Sequence, residues 1–216
     1  MNKTLKHIFL STFLLISMTA LAQTNHVTVR GNVFGGGNLA NVGGKSTVLI
    51  DQAGAEIQKD VYCGGALADV DTINKNQLNT VTLTQGTVIQ DIYGGGLGDA
   101  THPAKVFGPV QVNINGGQAR NVFGCNNING APQSTVRVDI NTCDTIGAVY
   151  GGGNQAAYSY NKPLVFVHNC TNKIGSVFGS GNQATVPGTD VTIYGGIIGD
   201  VYGGGNQAGV TTSGTT

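Results

Sequence analysis

The sequence predicts an all-β protein that folds as a single-stranded parallel β-helix, in which one chain winds into stacked coils of parallel strands. One Gly-rich motif recurs at intervals of 24–31 residues, a spacing typical of solenoids. A short run of alternating apolar and polar residues, the pattern of a half-buried strand, precedes each copy. The composition also favours strands over helices, because the 216 residues include 35 glycines and a single glutamate, Glu56.

The N-terminal segment has the pattern of a secretory signal peptide. Lys3 and Lys6 precede an apolar stretch that ends in Ala20-Leu21-Ala22, the small-x-small pattern that signal peptidase cleaves. The apolar stretch, residues 8–22, is shorter than the roughly 20 residues that a membrane span needs. We therefore expect a signal peptide at 1–22, a repeat domain at 23–216 and no transmembrane segment after cleavage. The exported chain would lie in the periplasm, at the cell surface or outside the cell.

Seven copies of the motif define the repeat domain. Each copy places an aromatic residue after Val or Ile and before a Gly-rich or Cys-containing corner, and the intervals are too short for four-stranded propeller blades. We expect about seven coils, wound right-handed because parallel crossovers overwhelmingly are. The spacing leaves open whether the rings point inward. The seven aromatic residues are Phe34, Tyr62, Tyr93, Phe123, Tyr150, Phe178 and Tyr202.

Alternation predicts which side of each strand is buried. In Val110–Ile114 and Val136–Ile140, the aliphatic residues occupy every second position, so they share one face of a strand. One such unit cannot bury its apolar face alone, but a stack of coils about 4.8 Å apart buries it continuously.

The corner after each aromatic residue predicts further stacking. The third residue after the ring is Gly in six copies, which we interpret as a corner with positive φ. The fourth residue is Asn in five copies, and stacked amides can hydrogen-bond along the axis. We therefore expect a structural ladder of Asn38, Asn127, Asn154, Asn182 and Asn206.

The spacing of the four mature-chain cysteines allows one disulfide. Cys143 and Cys170 occupy matching corners of adjacent coils, which is within the reach of a disulfide. Cys63 and Cys125 are two coils apart, roughly 9–10 Å, and too distant to bond.

Several functional classes are disfavoured by the sequence. The 11 basic and 11 acidic residues cancel, whereas a nucleic-acid binder needs a basic footprint. Gly179-Ser-Gly181-Asn-Gln-Ala184 matches a dinucleotide-binding pattern, but no helical periodicity follows it. His26, His102 and His168 stand in unrelated contexts and suggest neither a triad nor a metal site. We expect no cofactor.

The best catalytic candidates are two aspartates. Asp60 and Asp91 each lie two residues before an aromatic residue, so adjacent coils would stack them about 5 Å apart. That separation suits retaining glycoside hydrolysis. A polysaccharide lyase or glycoside hydrolase is therefore the alternative to a non-catalytic protein. Against it, the sequence assigns no Arg or Lys cluster to the pair, and outward-facing aspartates before a corner are ordinary.

The motifs at 31–38 and 191–206, with the signal ending Ala-Leu-Ala-Gln, resemble the secreted Gly-rich repeat proteins of Bacteroidetes. That resemblance implies a right-handed β-helix with an exported, surface-associated, adhesin-like role and contact with glycans or surface proteins. We expect a non-enzymatic module whose partners meet loops on one side, at 68–79, 98–109 and 156–163. Tyr158 and Tyr160 would be available there for stacking on sugars.

The terminal coils carry few of the lysines that usually blunt exposed strand edges. We therefore also expect end-to-end self-association, or cover from neighbouring sequence or partners.

Overall fold

The computed structural model describes residues 27–211, so the predicted signal peptide at 1–22 lies outside the described residues. Residues 27–211 contain thirteen β-strands and no helix, hence no helix that could cross a membrane. The strands are β1 Thr28–Val29, β2 Val33–Phe34, β3 Thr47–Ile57, β4 Val61–Tyr62, β5 Asn79–Tyr93, β6 Val110–Asn115, β7 Gln118–Phe123, β8 Val136–Thr142, β9 Thr145–Tyr150, β10 Leu164–Val167, β11 Lys173–Phe178, β12 Asp190–Ile193 and β13 Ile198–Tyr202.

All of these strands pair in parallel and wind into a β-solenoid, as the sequence predicts. The solenoid has about six turns, whereas the motif count predicts about seven coils. Two sides of the solenoid carry most of the pairing. Face A stacks the first parts of β3 and β5 with β6, β8, β10 and β12. Face B stacks β1, β2, β4, the last parts of β3 and β5, and β7, β9, β11 and β13.

The loops between face B and the next coil form a third side. Single parallel bridges join Val42 to Val70, Val70 to Val106 and Val106 to Pro132, and another joins Val186 to Val210. Val70, Val106 and Val186 belong to a small apolar cluster of their own, which includes Val110 and Tyr158, and Val42 packs against it. The loops therefore pack as part of the solenoid wall.

The main core lies between faces A and B. Face A aligns Val81, Val112, Val138 and Val165 in one column, because each pairs with the equivalent residue of the next coil. All are buried, together with the residues that precede the five inner rings on face B: Val61, Ile92, Val122, Val149 and Val177. Val33 in the first coil is partly buried, and Val201 in the last coil is exposed. The period of two in the sequence thus directs one aliphatic column after another into the interior.

The seven aromatic rings form one continuous stack outside the main core. Neighbouring ring centroids are 4.6–4.9 Å apart and the planes are within 5–9° of parallel. Val61 belongs to the main core, whereas Tyr62, the next residue, belongs to a separate aromatic cluster. Because successive residues of a strand point to opposite faces, the rings lie on the outer side of face B. The spacing of the motifs in the sequence does not decide whether the rings point inward, and the structure shows that they point away from the main core.

The prediction of positive φ at the third glycine of each corner is wrong. None of the six has φ in the left-handed region: Gly37, Gly65, Gly96, Gly153, Gly181 and Gly205. Glycine is required there by close approach of backbone, both within the corner and between coils. Within the corner, a Cβ on Gly65 would clash with Ala68 O. A Cβ on Gly65 would lie 2.8 Å from the carbonyl oxygen of Gly37, and one on Gly153 would lie 2.6 Å from that of Asn126.

The asparagine column beside the rings carries a directed chain of hydrogen bonds. Asn206 Nδ2 donates to Asn182 Oδ1, Asn182 Nδ2 to Asn154 Oδ1, and Asn154 Nδ2 to Asn127 Oδ1, over 2.8–3.0 Å. Asn127 Nδ2 then donates to Tyr62 Oη. Asn38 stands apart and exposed, because Ala66 and Leu97 occupy the column in the next two coils. The ladder therefore contains four of the five asparagines.

We expect Asn154→Leu to lower the free energy of unfolding by about 2 kcal/mol, because it removes two amide bonds of roughly 1 kcal/mol each. Thermal denaturation would register a fall of about 5 °C. Asn38→Leu, outside the ladder, is the matched control and should melt with the parent. Equal melting temperatures for both variants would contradict a stabilising ladder.

Candidate functional site

Asp60 and Asp91 occupy adjacent coils beside the aromatic stack, where they form hydrogen bonds within the protein. Asp60 Oδ2 accepts from Tyr62 Oη and Asp60 Oδ1 accepts from the Asp91 backbone N–H, both at 3.0 Å. The Asp91 side chain is only 7% exposed, and it accepts a hydrogen bond from Tyr93 Oη. The expectation of ordinary outward-facing carboxylates therefore does not hold for Asp91.

Arg120 completes this cluster, and the sequence analysis missed it. Its Nε and terminal nitrogen donate to the two oxygens of Asp91 at 2.9 and 2.7 Å, and Asn121 Nδ2 adds a third bond at 2.9 Å. The register between β5 and β7 shifts between Val88 and Asp91. The coil that contains β5 (coil three) therefore has two residues, Ile89 and Gln90, where the coil that contains β7 (coil four) has only Arg120. Counting by regular alternation does not reveal such a bulge, so the sequence did not show that Arg120 would reach Asp91. The only sequence sign was Asn121, which follows Arg120 and occupies the position of Asp91 in the next coil.

Burial sets the protonation behaviour of this cluster. Desolvation raises the pKa of Asp60 above its ordinary value of 3.8, although bonds from Asp91 N–H and Tyr62 oppose the rise. Desolvation also raises the pKa values of Tyr62 and Tyr93, and the neighbouring aspartates raise them further. The tyrosines therefore remain neutral donors to the two carboxylates. The arrangement joins the aromatic stack to a charged network whose only strongly exposed member is Arg120.

The cysteines divide into one bonded pair and two free thiols. Cys143 and Cys170 form a disulfide between adjacent coils, with Cα atoms 4.5 Å apart. Cys63 and Cys125 are free and buried. Burial raises the pKa of the Cys63 thiol to about 12 and raises that of Cys125 as well. Neither free thiol is a reactive nucleophile, since the thiolate is the reactive form.

The loops expected to meet partners are largely part of the third side. In 68–79, Val70 and Asp71 are buried, and in 98–109, Ala104 and Val106 are buried. The interpretation of Tyr158 as an exposed sugar-stacking residue is wrong, because its ring is buried and its hydroxyl donates to Ser134 O. Tyr160 is 60% exposed. A shallow depression of about 420 Å³ lies near these loops, between Lys105, Gln133 and Gln155.

A larger groove, about 550 Å³, lies at the corner between faces A and B. Its floor contains glycines with positive φ, among them Gly54, Gly86 and Gly117, which make the tight corner and add no side chain. Its polar walls are formed by Glu56, Thr84, Gln85, Thr87, Gln118 and Asp144. The sequence analysis did not identify this groove. The Gly-Gly pair at 116–117 is a local sign of a tight corner, but the stacking of several corners into one groove depends on the coil register.

A column of outward-facing residues runs along face A beside this groove. Asn141 Nδ2 donates to Asn115 Oδ1 at 2.8 Å, and the His168 ring stacks on Tyr194 at 4.7 Å in the next two coils. Both pairs directly follow the aliphatic column Ile114, Ile140, Val167 and Ile193, whose members pair in register. The first three of these residues are buried, and Ile193 in the last coil is exposed. We call the groove and this column together the corner strip. Tyr194, at 65% exposure, presents its ring to solvent.

Within residues 27–211, no three His, Cys, Asp or Glu side chains are grouped as a metal site. Comparisons of the chain with protein-family models, curated proteins and solved structures found no match. The function must therefore be argued from the chemistry of the surfaces described above.

We expect Asp91→Asn to destabilise the protein by about 2 kcal/mol, because it removes the charge-assisted pair with the half-exposed Arg120. Asp200→Asn is the matched control: it occupies the equivalent position in the last coil, where Asp200 is exposed. Chemical denaturation of both variants and the parent measures the difference. Equal losses at the two positions would show that the Arg120 pair contributes nothing specific.

The raised pKa of Asp60 has a defined effect on stability. Because folding raises this pKa, the stability that protonated Asp60 contributes is present below its unfolded pKa and is lost as pH rises through its folded pKa. Asp60→Asn removes that titration. The unfolding free energy of the variant minus that of the parent should therefore increase as pH rises from below 3.8, the ordinary pKa of the group, through its higher folded pKa. A difference independent of pH would contradict the raised pKa.

Proposed function

We propose that this chain is an exported, surface-associated binding module of the adhesin type, without catalytic activity, and that it contacts glycans along the corner strip. The observation that carries the proposal is that a polar groove and an exposed aromatic pair lie on one line parallel to the solenoid axis. The groove provides hydroxyl, amide and carboxylate groups, and His168 and Tyr194 provide flat ring surfaces.

This combination suits a carbohydrate chain better than other polymers. A sugar ring has hydroxyl groups around its edge, which bond to amides and carboxylates, and apolar C–H faces, which pack on aromatic rings. None of the residues that line the groove is Lys or Arg, so it offers no cations to the phosphates of nucleic acids. The strip crosses several coils, which favours an extended glycan over a single sugar.

The carboxylates near the strip and the stack support a non-catalytic role. Glu56 and Asp144 line the groove, but they belong to the second and fifth coils. At about 4.8 Å per coil their separation is about 14 Å, beyond the roughly 5–9.5 Å of glycosidase carboxylate pairs. Asp91 is engaged by Arg120, Asn121 and Tyr93. Neither the groove pair nor the pair beside the stack therefore supports the lyase or hydrolase alternative.

Export and surface association rest on the N-terminal pattern and on the cysteines. The sequence of residues 1–22 has the form of a signal peptide. The Cys143–Cys170 disulfide is the kind of bond that forms in an oxidising compartment. Both features suit a protein that meets glycans outside the cytoplasm, and surface proteins are the other partner class that this role implies.

We expect Tyr194→Ala to weaken binding of glycans identified on a glycan array by about tenfold, because truncating an aromatic contact typically costs 1 kcal/mol or more. Tyr160→Ala is the matched control, since Tyr160 is equally exposed but lies in the loop on the third side. Titration calorimetry with purified oligosaccharides measures the change.

Two results would overturn the proposal. Loss of binding in Tyr160→Ala alone would move the contact to the loops. Release of reducing sugars from the same polysaccharides by the parent, abolished in Asp60→Asn, would favour the hydrolase alternative. Asp60→Asn is preferred to Asp91→Asn here because it keeps the Arg120 pair, so that lost activity is not confused with lost folding.

A further inference from the structure

The two terminal coils of residues 27–211 present complementary surfaces. Tyr202 in the last coil is 47% exposed, whereas Phe123 in the middle of the same stack is 2% exposed. At the opposite end, Phe34 has a single ring neighbour, Tyr62. An apolar hollow of about 240 Å³ also opens there, with Val29, Val33 and Ile57 in its lining. Both ends expose the stacking surfaces that inner coils bury.

Three columns of contacts share one polarity along the axis, and the backbone column runs from the first coil to the last. In the backbone column, Gly35 N–H donates to Tyr62 O and Gly179 N–H donates to Tyr202 O. In the last coil the equivalent donor is Gly203 N–H, which has no further coil to donate to within residues 27–211. In the first coil the equivalent acceptor is Phe34 O, which has no preceding coil to accept from within the same residues. A second copy placed beyond the last coil would therefore bring its Phe34 carbonyl to Gly203, and its Phe34 ring to Tyr202, in the register of every inner coil.

The amide column continues in the same way. Asn206 Nδ2 donates to Asn182 Oδ1, so Asn206 Oδ1 faces the end of the solenoid. Asn38 of a following copy would occupy the next position and would donate its Nδ2 to that oxygen. Both asparagines are exposed.

The third column joins side chains to backbone. Asn32 Oδ1 accepts from Asp60 N–H, and Asp60 Oδ1 accepts from Asp91 N–H, both at 3.0 Å. Asp200 holds the same position in the last coil and is exposed. In a continued stack, Asp200 would accept from the N–H of Asn32 of the following copy. At a junction between the last coil of one copy and the first coil of the next, the rings, the amides and the backbone acceptors would therefore all meet the residues that occupy the equivalent positions in the repeat.

We infer that the occupant of these ends is a second copy of this chain, docked head to tail so that the first coil of one molecule extends the last coil of another. Because the two surfaces differ, the contact is heterologous and does not close into a dimer, and repeated docking produces a linear filament. This inference is independent of the glycan site, since it rests on columns of face B. A filament would repeat the corner strip along its length and multiply weak glycan contacts.

The test places like charges across the junction at two exposed positions. Glu at both exposed positions, in Asn38→Glu/Asn206→Glu, sets two carboxylates about one coil spacing apart, whereas Asn38→Lys/Asn206→Glu sets opposite charges there. Both variants carry Asn206→Glu and so lose the same Asn206–Asn182 bond, which makes them matched in that respect. The full exported chain and both variants are compared by sedimentation velocity and light scattering up to about 1 mM, the range of weak association. We expect the parent to grow in mass with concentration, the Glu/Glu variant to remain monomeric, and the Lys/Glu variant to associate.

Three results would overturn the inference. The parent could remain monomeric throughout; amide protection of residues 23–26 or 212–216 in hydrogen exchange would then identify those segments as the cover. It could form a closed dimer that stops growing. Finally, the Glu/Glu variant could associate as strongly as the parent, which would place the contact elsewhere. Circular dichroism melting checks that both variants keep the parent fold.

Discussion

The spacing of a parallel sheet, about 4.8 Å between neighbouring strands, is the constraint on which the rest of this structure depends. Flat aromatic rings stack at nearly the same distance, and the seven rings here are 4.6–4.9 Å apart. Primary amides also reach one another at one coil spacing, as Asn154 and Asn182 do. One repeat distance therefore satisfies the backbone, the rings and the amides together, which explains why the same residue types return in each coil.

The same constraint explains the glycines. At Gly65 and Gly153 the backbone of the preceding coil leaves no room for a Cβ, so glycine is needed for approach and not for an unusual φ. Glycines of the other kind lie at the corner of faces A and B, where Gly54, Gly86 and Gly117 have positive φ. The glycines with positive φ form the floor of the groove. Glycine therefore has two roles here: at Gly65 and Gly153 it allows close packing of the backbone, and at the corner of faces A and B it shapes a surface.

The charged cluster beside the rings shows how a solenoid accommodates an irregular coil. The coil of β5 carries an extra residue before Asp91. Arg120 of the next coil pairs with the Asp91 carboxylate, which would otherwise be buried without a counter-ion. Such a pair is costly to disrupt, because a lone buried charge is left behind. We interpret the cluster as structural, which leaves the corner strip as the surface with chemistry to offer a ligand.

The sequence by itself determined the architecture, because the motif period and the alternation of Val and Ile specify parallel coils and their buried columns. It also indicated which asparagines and cysteines share a column, since register follows from counting along each repeat. Tertiary structure alone decided that the rings lie outside the main core and that Tyr158 is buried. The contact of Arg120 with Asp91 and the corner groove were also decided by tertiary structure alone. A bulge or a stacked corner changes which residues of different coils meet, and that depends on coil-to-coil register, which no local pattern encodes.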